Sequence, residues 1–352
     1  MASRKKVLVC ACRVPFVSGG AELLNQGLVQ ALRRSGYAVD TIEIPYRWHP
    51  PERIMESALV WRLQDLDDLP AGSADLVIAT RFPSYGVIHP NKVAWVVHQH
   101  RGAYDLAGTI YDDMGLSTDG EMYRKAVRSM DRRFLLECRK VFTISSTVSR
   151  RLREYCGIDS TPLLHPPPLE GRYFPGEYTD DVLVVGRLDP LKRVDLAIRA
   201  MQFVRNPRAR LRIAGTGFLE PSLVELTGSL GLEGRVIFEG YLSQERLLDA
   251  YSRAGCVLYV PYQEDLGYVT IEAFCSRRPV ITTLDSGGPL EFVRDGENGL
   301  VAPARPEELA GCIDRLLENR KTARAFGLAG YRAVEGLSWE NVMREMVEPF
   351  LE

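Results

Sequence analysis

The stretch Val184-Val185-Gly186-Arg187-Leu188-Asp189-Pro190-Leu191-Lys192-Arg193-Val194-Asp195 sets the pattern for the whole chain. Apolar β-branched residues run into a glycine, a polar loop follows, and a helical pattern begins beyond it. This strand–loop–helix order belongs to a parallel sheet, and the loop then lies at the carboxyl edge, where open α/β sheets take their ligands. Arg187 and Lys192 in that loop offer a guanidinium fork and an ammonium, as neutralising a diphosphate requires. A solvated loop with ordinary surface charges has the same letters, so the reading depends on its neighbours.

Working outward, short apolar runs alternate with amphipathic stretches along the entire chain, as in repeated βαβ units. The first half has strand candidates at 6–10, 39–44, 75–80, 93–97 and 141–144. Between the first two, Leu24, Leu28, Ala31 and Leu32 fall at helical spacing, with Arg33-Arg34 closing a helix over 21–34. The second half has candidates at 181–185, 211–214, 235–238, 257–260 and 280–282. Helices are expected to begin near Lys192, Glu220, Gln244, Val269 and Pro289, and to run over 306–318 and 321–335. Pro166-Pro167-Pro168 can continue neither a helix nor a central strand and serves as the linker. The division is therefore a domain over 1–168 and a second over 176–337. After the break at Gly336-Leu337, Ser338 caps a separate last helix over 338–352.

The 352 residues, 45% hydrophobic and 26% charged, suit two soluble globular domains rather than a disordered or fibrous chain. No apolar run reaches the roughly 18 residues of a spanning helix, and the N-terminal apolar run, 7–11, is too short for a signal-peptide core, so a cytosolic protein is expected. Seven scattered cysteines provide no second close pair to complete a zinc site and read as free thiols. The net charge of −2 gives no argument for nucleic-acid binding, and no nucleic-acid partner is expected. Residues 1–168 hold 22 Lys and Arg against 18 Asp and Glu, whereas the rest hold 22 against 28. That mild bias is compatible with an anionic acceptor or a membrane surface near the first half.

The richest stretch is Glu264-Asp265-Leu266-Gly267-Tyr268-Val269-Thr270-Ile271-Glu272-Ala273. It follows a strand candidate and opens a helix. Gly267 lets backbone approach a ligand, and the free amides of the first helical turn can hold a phosphate. An ionised carboxylate only accepts hydrogen bonds, so Glu264 and Glu272, on either side of that turn, suit hydroxyls such as those of a sugar and a ribose. Ser18-Gly19-Gly20-Ala21-Glu22 is a comparable glycine turn after the first strand. His98-Gln99-His100-Arg101 follows another strand. Its two histidines can share a face and hold a metal, but no third ligand accompanies them. Asp65-Leu66-Asp67 has the letters of a metal-binding Asp-x-Asp; it follows a helix-like stretch at 54–63 instead of a strand, and no metal is inferred.

Together these residues resemble the family-4 retaining glycosyltransferases (group 1) of GT-B fold. The matching parts are Gly19-Gly20, Gly186-Arg187 through Lys192, Gly215-Thr216-Gly217, 236–240, Glu264 with Glu272, and Gly287-Gly288-Pro289 with Glu291, Asp295-Gly296 and Gly299. The resemblance implies two Rossmann-like domains facing each other across a cleft, with the last helix packing back on the first domain. It also implies that the second domain binds a nucleotide-diphosphate sugar, a UDP-sugar by preference with GDP-mannose possible, and the first the acceptor. Arg187 and Lys192 would hold the diphosphate, Glu264 the donor sugar and Glu272 the ribose. Gly19, Gly20, Gly186, Gly215, Tyr241, Leu242, Leu266, Gly267, Tyr268, Val269 and Thr270 would line the donor site. Leu266 departs from the Phe that many members carry. His98, with His100 as the alternative, would face the donor sugar, and His100 and Arg101 would sit on the acceptor side. The implied enzyme is a metal-independent hexosyltransferase without cofactor. Its acceptor would be a glycan, glycolipid or small molecule in polysaccharide biosynthesis, met in the cytoplasm or at the inner face of the membrane. Rival readings are a GT-B-fold epimerase or phosphorylase, and a dehydrogenase. For the latter, Gly215-Thr216-Gly217 gives a Gly-x-Gly and Glu239 a ribose acid, but Glu220 at the third fingerprint position opposes a pyrophosphate.

Overall fold

A computed structural model describes residues 4–16, 19–64, 66, 69, 72–115 and 119–352. Ser18, Asp65 and Asp67 lie outside the described residues. The chain divides into two compact units, Met1–Pro168 with Leu337–Glu352, and Leu169–Gly336. Each unit carries one six-stranded sheet, and all of the strand pairs are parallel.

In the first unit β1 (Lys6–Arg13), β2 (Ala38–Pro45), β3 (Leu76–Ala79), β4 (Lys92–Val96), β5 (Lys140–Thr143) and β6 (Thr161–Pro162) take the order β2-β1-β3-β4-β5-β6. β3 and β4 are buried throughout, as interior parallel strands covered on both faces must be, whereas β2 at the edge is only partly covered. Helices α1 (Gly20–Arg34), α2 (Glu52–Arg62), α3 (Gly120–Leu136) and α4 (Ser146–Arg151) fill the connections. α1 buries Leu24, Leu28, Ala31 and Leu32, the stripe at helical spacing in the sequence.

In the second unit β7 (Asp181–Val185), β8 (Arg210–Ala214), β9 (Val236–Gly240), β10 (Cys256–Leu258), β11 (Val280–Thr283) and β12 (Gly299–Ala302) take the order β12-β11-β10-β7-β8-β9. Helices α5 (Val194–Ala200), α6 (Glu220–Ser229), α7 (Gln244–Arg253), α8 (Tyr268–Cys275), α9 (Pro306–Glu318) and α10 (Arg320–Val334) complete it. Three sequence expectations need correction, and the sequence pattern does not anticipate two strands. The helix expected at Lys192 starts at Val194, after a single 3-10 turn over Pro190–Lys192 capped by Asp189. The helix expected from Pro289 is only a 3-10 turn, Gly288–Glu291. β10 stops at Leu258; the Tyr259 N–H still donates to the Ile281 carbonyl oxygen at 2.9 Å, and beyond it the Val260 carbonyl is taken by Arg193 and Pro261 has no N–H to donate. β6, of two residues, is too short to show a period, and β12, Gly299–Ala302, is not among the strand candidates.

The last helix, α11 (Trp339–Met346), is capped by Ser338, whose Oγ accepts from the Asn341 N–H at 3.2 Å. Trp339 stacks on the buried His165 with centroids 5.9 Å apart and meets Trp95 of β4 edge to face at 6.2 Å. Gly27 of α1 makes room for it: a Cβ there would lie 2.4 Å from the indole. All four tryptophans, Trp48, Trp61, Trp95 and Trp339, lie in the first unit, so their fluorescence reports that unit alone. Trp339→Ala is expected to destabilise the first unit by about 3–5 kcal/mol, as truncation of a buried indole does. Denaturant unfolding followed by fluorescence of the remaining tryptophans checks it; a wild-type midpoint would mean that the helix does not brace this unit.

Candidate functional site

The carboxyl edge of the second sheet brings together the residues singled out around Gly186 and Glu264. β7 and β8 end at Gly186 and Gly215, and the two backbones approach so closely that a Cβ on Gly215 would lie 1.9 Å from the Gly186 carbonyl oxygen. The φ of 141° at Gly215 also favours glycine. The Lys192 ammonium forms an ion pair with Glu264 Oε2, and each side chain is 18% exposed. Tyr259 Oη donates to the same oxygen at 2.9 Å, and Lys192 Nζ sits 5.9 Å from the centre of the Tyr259 ring. A cation and an acceptor thus stand together, in a loop where a diphosphate would compete for the first and a hydroxyl for the second.

Glu272 lies in α8, whose N-cap is Gly267 with φ 86°. A Cβ on Gly267 would also come within 2.9 Å of the Tyr259 ring, so both conformation and space require glycine. Tyr251 Oη donates to Glu272 Oε2 at 2.6 Å, and the Tyr173 hydroxyl hydrogen-bonds the same carboxylate. Burial raises the pKa of Glu272, and the two hydroxyls oppose that rise. Leu266, Gly267, Val269 and Thr270 are buried around this turn and Tyr268 is half-buried. Thr270 Oγ1, at the helix start, is buried without a hydrogen-bond partner.

Other expected residues lie further apart in character. Arg187 is 62% exposed, and its ion-pair partner is Asp189 at 3.4 Å. Tyr241, beyond β9, is exposed and Leu242 is buried. Glu239, the ribose acid of a dehydrogenase reading, is engaged by Arg212 and by Arg246 at 3.2 Å. Gly215 and Gly217 are required by backbone packing, since a Cβ on Gly217 would meet the Leu188 carbonyl oxygen at 2.4 Å. The dinucleotide fingerprint therefore has a packing explanation, and its acid is occupied.

In the first unit Gly19 caps α1, and its N–H donates to Glu22 Oε2 at 2.9 Å, with Gly20 the first helical residue. Glu22 also lies 3.4 Å from the buried Arg81 guanidinium beyond β3. After β4, His98 is half-buried, with Nδ1 2.9 Å from the Gln99 carbonyl oxygen. The carbonyl can only accept, so Nδ1 carries a proton. His100 is buried, with Nδ1 3.0 Å from Tyr46 Oη and Nε2 3.8 Å from Asp113. Burial lowers its pKa, Asp113 opposes that, and His98 adds to it. Arg101 is engaged by both oxygens of Asp105 at 2.6 to 3.3 Å.

Residues 175–333 match the family of group 1 glycosyl transferases. Over these residues the chain is a group 1 glycosyl transferase. A D-inositol 3-phosphate glycosyltransferase of Rhodococcus erythropolis is 29% identical over 76% of this chain and 67% of its own length. An uncharacterized glycosyltransferase of Methanocaldococcus jannaschii is 25% identical over 96% and 95%. Among solved structures, sucrose-phosphate synthase from Thermosynechococcus elongatus superposes with a TM-score of 0.79 at 20% identity, covering 99% of this chain and 98% of that one. Anabaena HepE, solved with UDP and glucose, gives 0.67 at 16% identity over 97% and 98%. The fold is that of GT-B glycosyltransferases.

Within this glycosyltransferase, periodicity could not find the tyrosines. Tyr173, Tyr251 and Tyr259 precede Glu264 and Glu272 at irregular spacings and on different elements, and only folding brings their hydroxyls to the carboxylates. The same holds for Asp131 of α3, fully buried and hydrogen-bonded by Tyr85 Oη and Tyr104 Oη, each at 2.5 Å. Gln99, between the two histidines, also hydrogen-bonds Asp131. Among the described residues no three His, Cys, Asp or Glu side chains gather as metal ligands, and no helix is long and apolar enough to cross a membrane. Burial pushes the Asp131 carboxyl up to about 6 against its hydrogen bonds, whereas in the unfolded chain it titrates near ~3.9. Between these values the unfolded state ionises and the folded state does not. Stability of the first unit therefore falls as pH rises from ~4 to ~6, by about 2–3 kcal/mol, and the term is constant outside that window. Asp131→Asn is expected to remove this slope. Tryptophan-detected unfolding of both proteins across the window checks it, and parallel pH profiles would contradict the assignment.

Proposed function

We propose that this glycosyltransferase moves a hexosyl unit, with retention, from a nucleotide-diphosphate sugar to an acceptor hydroxyl. The observation carrying the reading is the Lys192–Glu264 pair beside α8, with Glu272 in that helix. In the proposed complex the diphosphate replaces Glu264 as the partner of Lys192, with Arg187 and the first-turn amides of α8, near Val269 and Thr270, sharing the charge. Glu264, released, accepts from donor-sugar hydroxyls, and Glu272 from the ribose. A UDP-sugar is the favoured donor, in line with the UDP and glucose bound by HepE, and GDP-mannose is the second candidate. The acceptor is a glycan, glycolipid or small molecule of polysaccharide biosynthesis, bound by the first unit with His98 toward the donor sugar and His100 and Arg101 on the acceptor side. The enzyme acts in the cytoplasm or at the inner face of the membrane, without metal or other cofactor.

The chemistry breaks the bond from the anomeric carbon to the diphosphate and forms one to the acceptor oxygen on the same face. The acceptor proton passes to the departing phosphate oxygen. Negative charge grows on that phosphate as the bond breaks, so fixed cations and helix-start amides stabilise the transition state more than the ground state.

Glu272→Ala is expected to weaken free nucleoside diphosphate binding ten- to a hundredfold, since a charge-assisted hydrogen bond is worth roughly 1.5–3 kcal/mol. Glu264→Ala, which frees Lys192 from its internal partner, should leave that affinity unchanged or tighten it while sugar discrimination is lost. Titration calorimetry separates the two, and equal losses in both variants would contradict the roles. Transfer should also survive excess EDTA. Abolition by EDTA with rescue by Mn²⁺ or Mg²⁺ would refute the electrostatic role of Arg187 and Lys192.

A further inference from the structure

Arg193, next to Lys192, adopts the left-handed conformation with φ 48° and ψ 44°, unusual for any residue with a side chain. Its guanidinium is engaged on three sides. Nε donates to the Val260 carbonyl oxygen at 2.8 Å, and Nη2 to the Pro261 carbonyl oxygen and Thr283 Oγ1, both at 2.8 Å. Nη1 and Nη2 form a fork onto the two Asp285 oxygens at 2.8 and 2.7 Å. One side chain thus ties the start of α5 to the loops that leave β10 and β11. Those loops hold Glu264: its N–H donates to the Ser286 carbonyl oxygen at 2.8 Å, and the Gln263 N–H to that of Asp285 at 2.9 Å. Burial raises the Asp285 carboxyl, and the hydrogen bonds from Arg193 and Thr283 outweigh it and hold the group below its ordinary value.

We propose that Arg193 is a positioning residue for the donor sugar, fixing the loop that carries Glu264 opposite Lys192. The proposal rests on the donor-site reading above and adds a residue to it. A left-handed backbone is easiest for glycine, so an arginine held there at a conformational cost must be retained by what its side chain does. The five hydrogen bonds converge on the two loops flanking Glu264. An ammonium has no planar fork and cannot reproduce them, so lysine is not an equivalent substitute.

The test uses Arg193→Gly, which relieves the backbone conformation while removing the fork, together with Asp285→Asn and Arg193→Lys in the full chain. Amide hydrogen exchange over residues 260–266 should accelerate at least tenfold in Arg193→Gly, with the strands β7 and β8 unchanged. Binding of UDP or GDP should change less than threefold, whereas kcat/KM with the corresponding nucleotide-sugar should fall thirty- to a hundredfold, mostly in kcat. Arg193→Lys should fall with it, and the double variant Arg193→Gly/Asp285→Asn should be no worse than the worse single one, because both remove the same clamp. Unchanged exchange in 260–266, or unchanged kcat/KM with faster exchange, would overturn the positioning role. So would a loss of activity matched by faster exchange throughout the second unit, because Arg193 would then only support the fold. If wild-type protein binds neither nucleoside diphosphate, the donor-site reading fails instead, and the positioning role falls with it whatever the exchange shows.

Discussion

A carboxylate taken out of water needs a compensating donor or cation, and the positions of the acids in this protein follow from that constraint. Glu264, Glu272 and Asp131 are each drawn inward, and each is met by tyrosine hydroxyls: Tyr259 for the first, Tyr251 and Tyr173 for the second, Tyr85 and Tyr104 for the third. Only Glu264 adds a full cation, Lys192. A phenol donates without carrying charge, so it stabilises an ionised acid less than an ammonium does. Burial accordingly still prevails at Glu272 and Asp131, whose carboxyls remain raised.

That difference has a chemical consequence at the second sheet's edge. A carboxylate solvated by hydroxyls can exchange one hydroxyl for another, such as a ribose, with little change in charge balance. A carboxylate paired with an ammonium can release it only to another anion. Glu264 and Glu272 are thus suited to different partners by their neighbours, although both are glutamates in one short stretch. The two groups are also linked, because Tyr259 donates to Glu264 while the electrostatic influence of Glu272 also reaches it.

Much of the architecture was readable from periodicity. The alternation of strands and helices and the helix starts at Glu220 and Gln244 follow from local spacing, and Ser243 caps the second of these helices. The acids and cations of the site were readable too, because a charged residue just beyond an apolar strand must lie at a sheet's carboxyl edge. The tyrosines around them were not, since a tyrosine in an amphipathic helix such as α7 looks like any core aromatic. Nor was Arg193: its neighbour Lys192 draws attention as a phosphate ligand, whereas the left-handed turn that aims Arg193 inward has no signature when the residue is not glycine. Short strands failed for a different reason. Two residues at β6 are too few to establish any period, and their pairing is decided by β5 beside them.

The first unit applies the same rule to a different end. Gln99 stands between His98 and His100 and reaches inward to hydrogen-bond Asp131. Gln99 Nε2 also lies 3.2 Å from Cys156 Sγ, whose thiol is pushed up to about 11 by burial and stays neutral. A segment anchored at its middle residue is held in orientation by the same buried acid that Tyr85 and Tyr104 hydrogen-bond. Burial lowers the His100 pKa, Asp113 opposes that and His98 adds to it, so the His100 ring is neutral near pH 7 and shares a hydrogen bond with Tyr46 Oη through Nδ1. The polar edge of the first sheet thus presents hydrogen-bonding side chains beside two cations, Arg81 and Arg101, that Glu22 and Asp105 already meet.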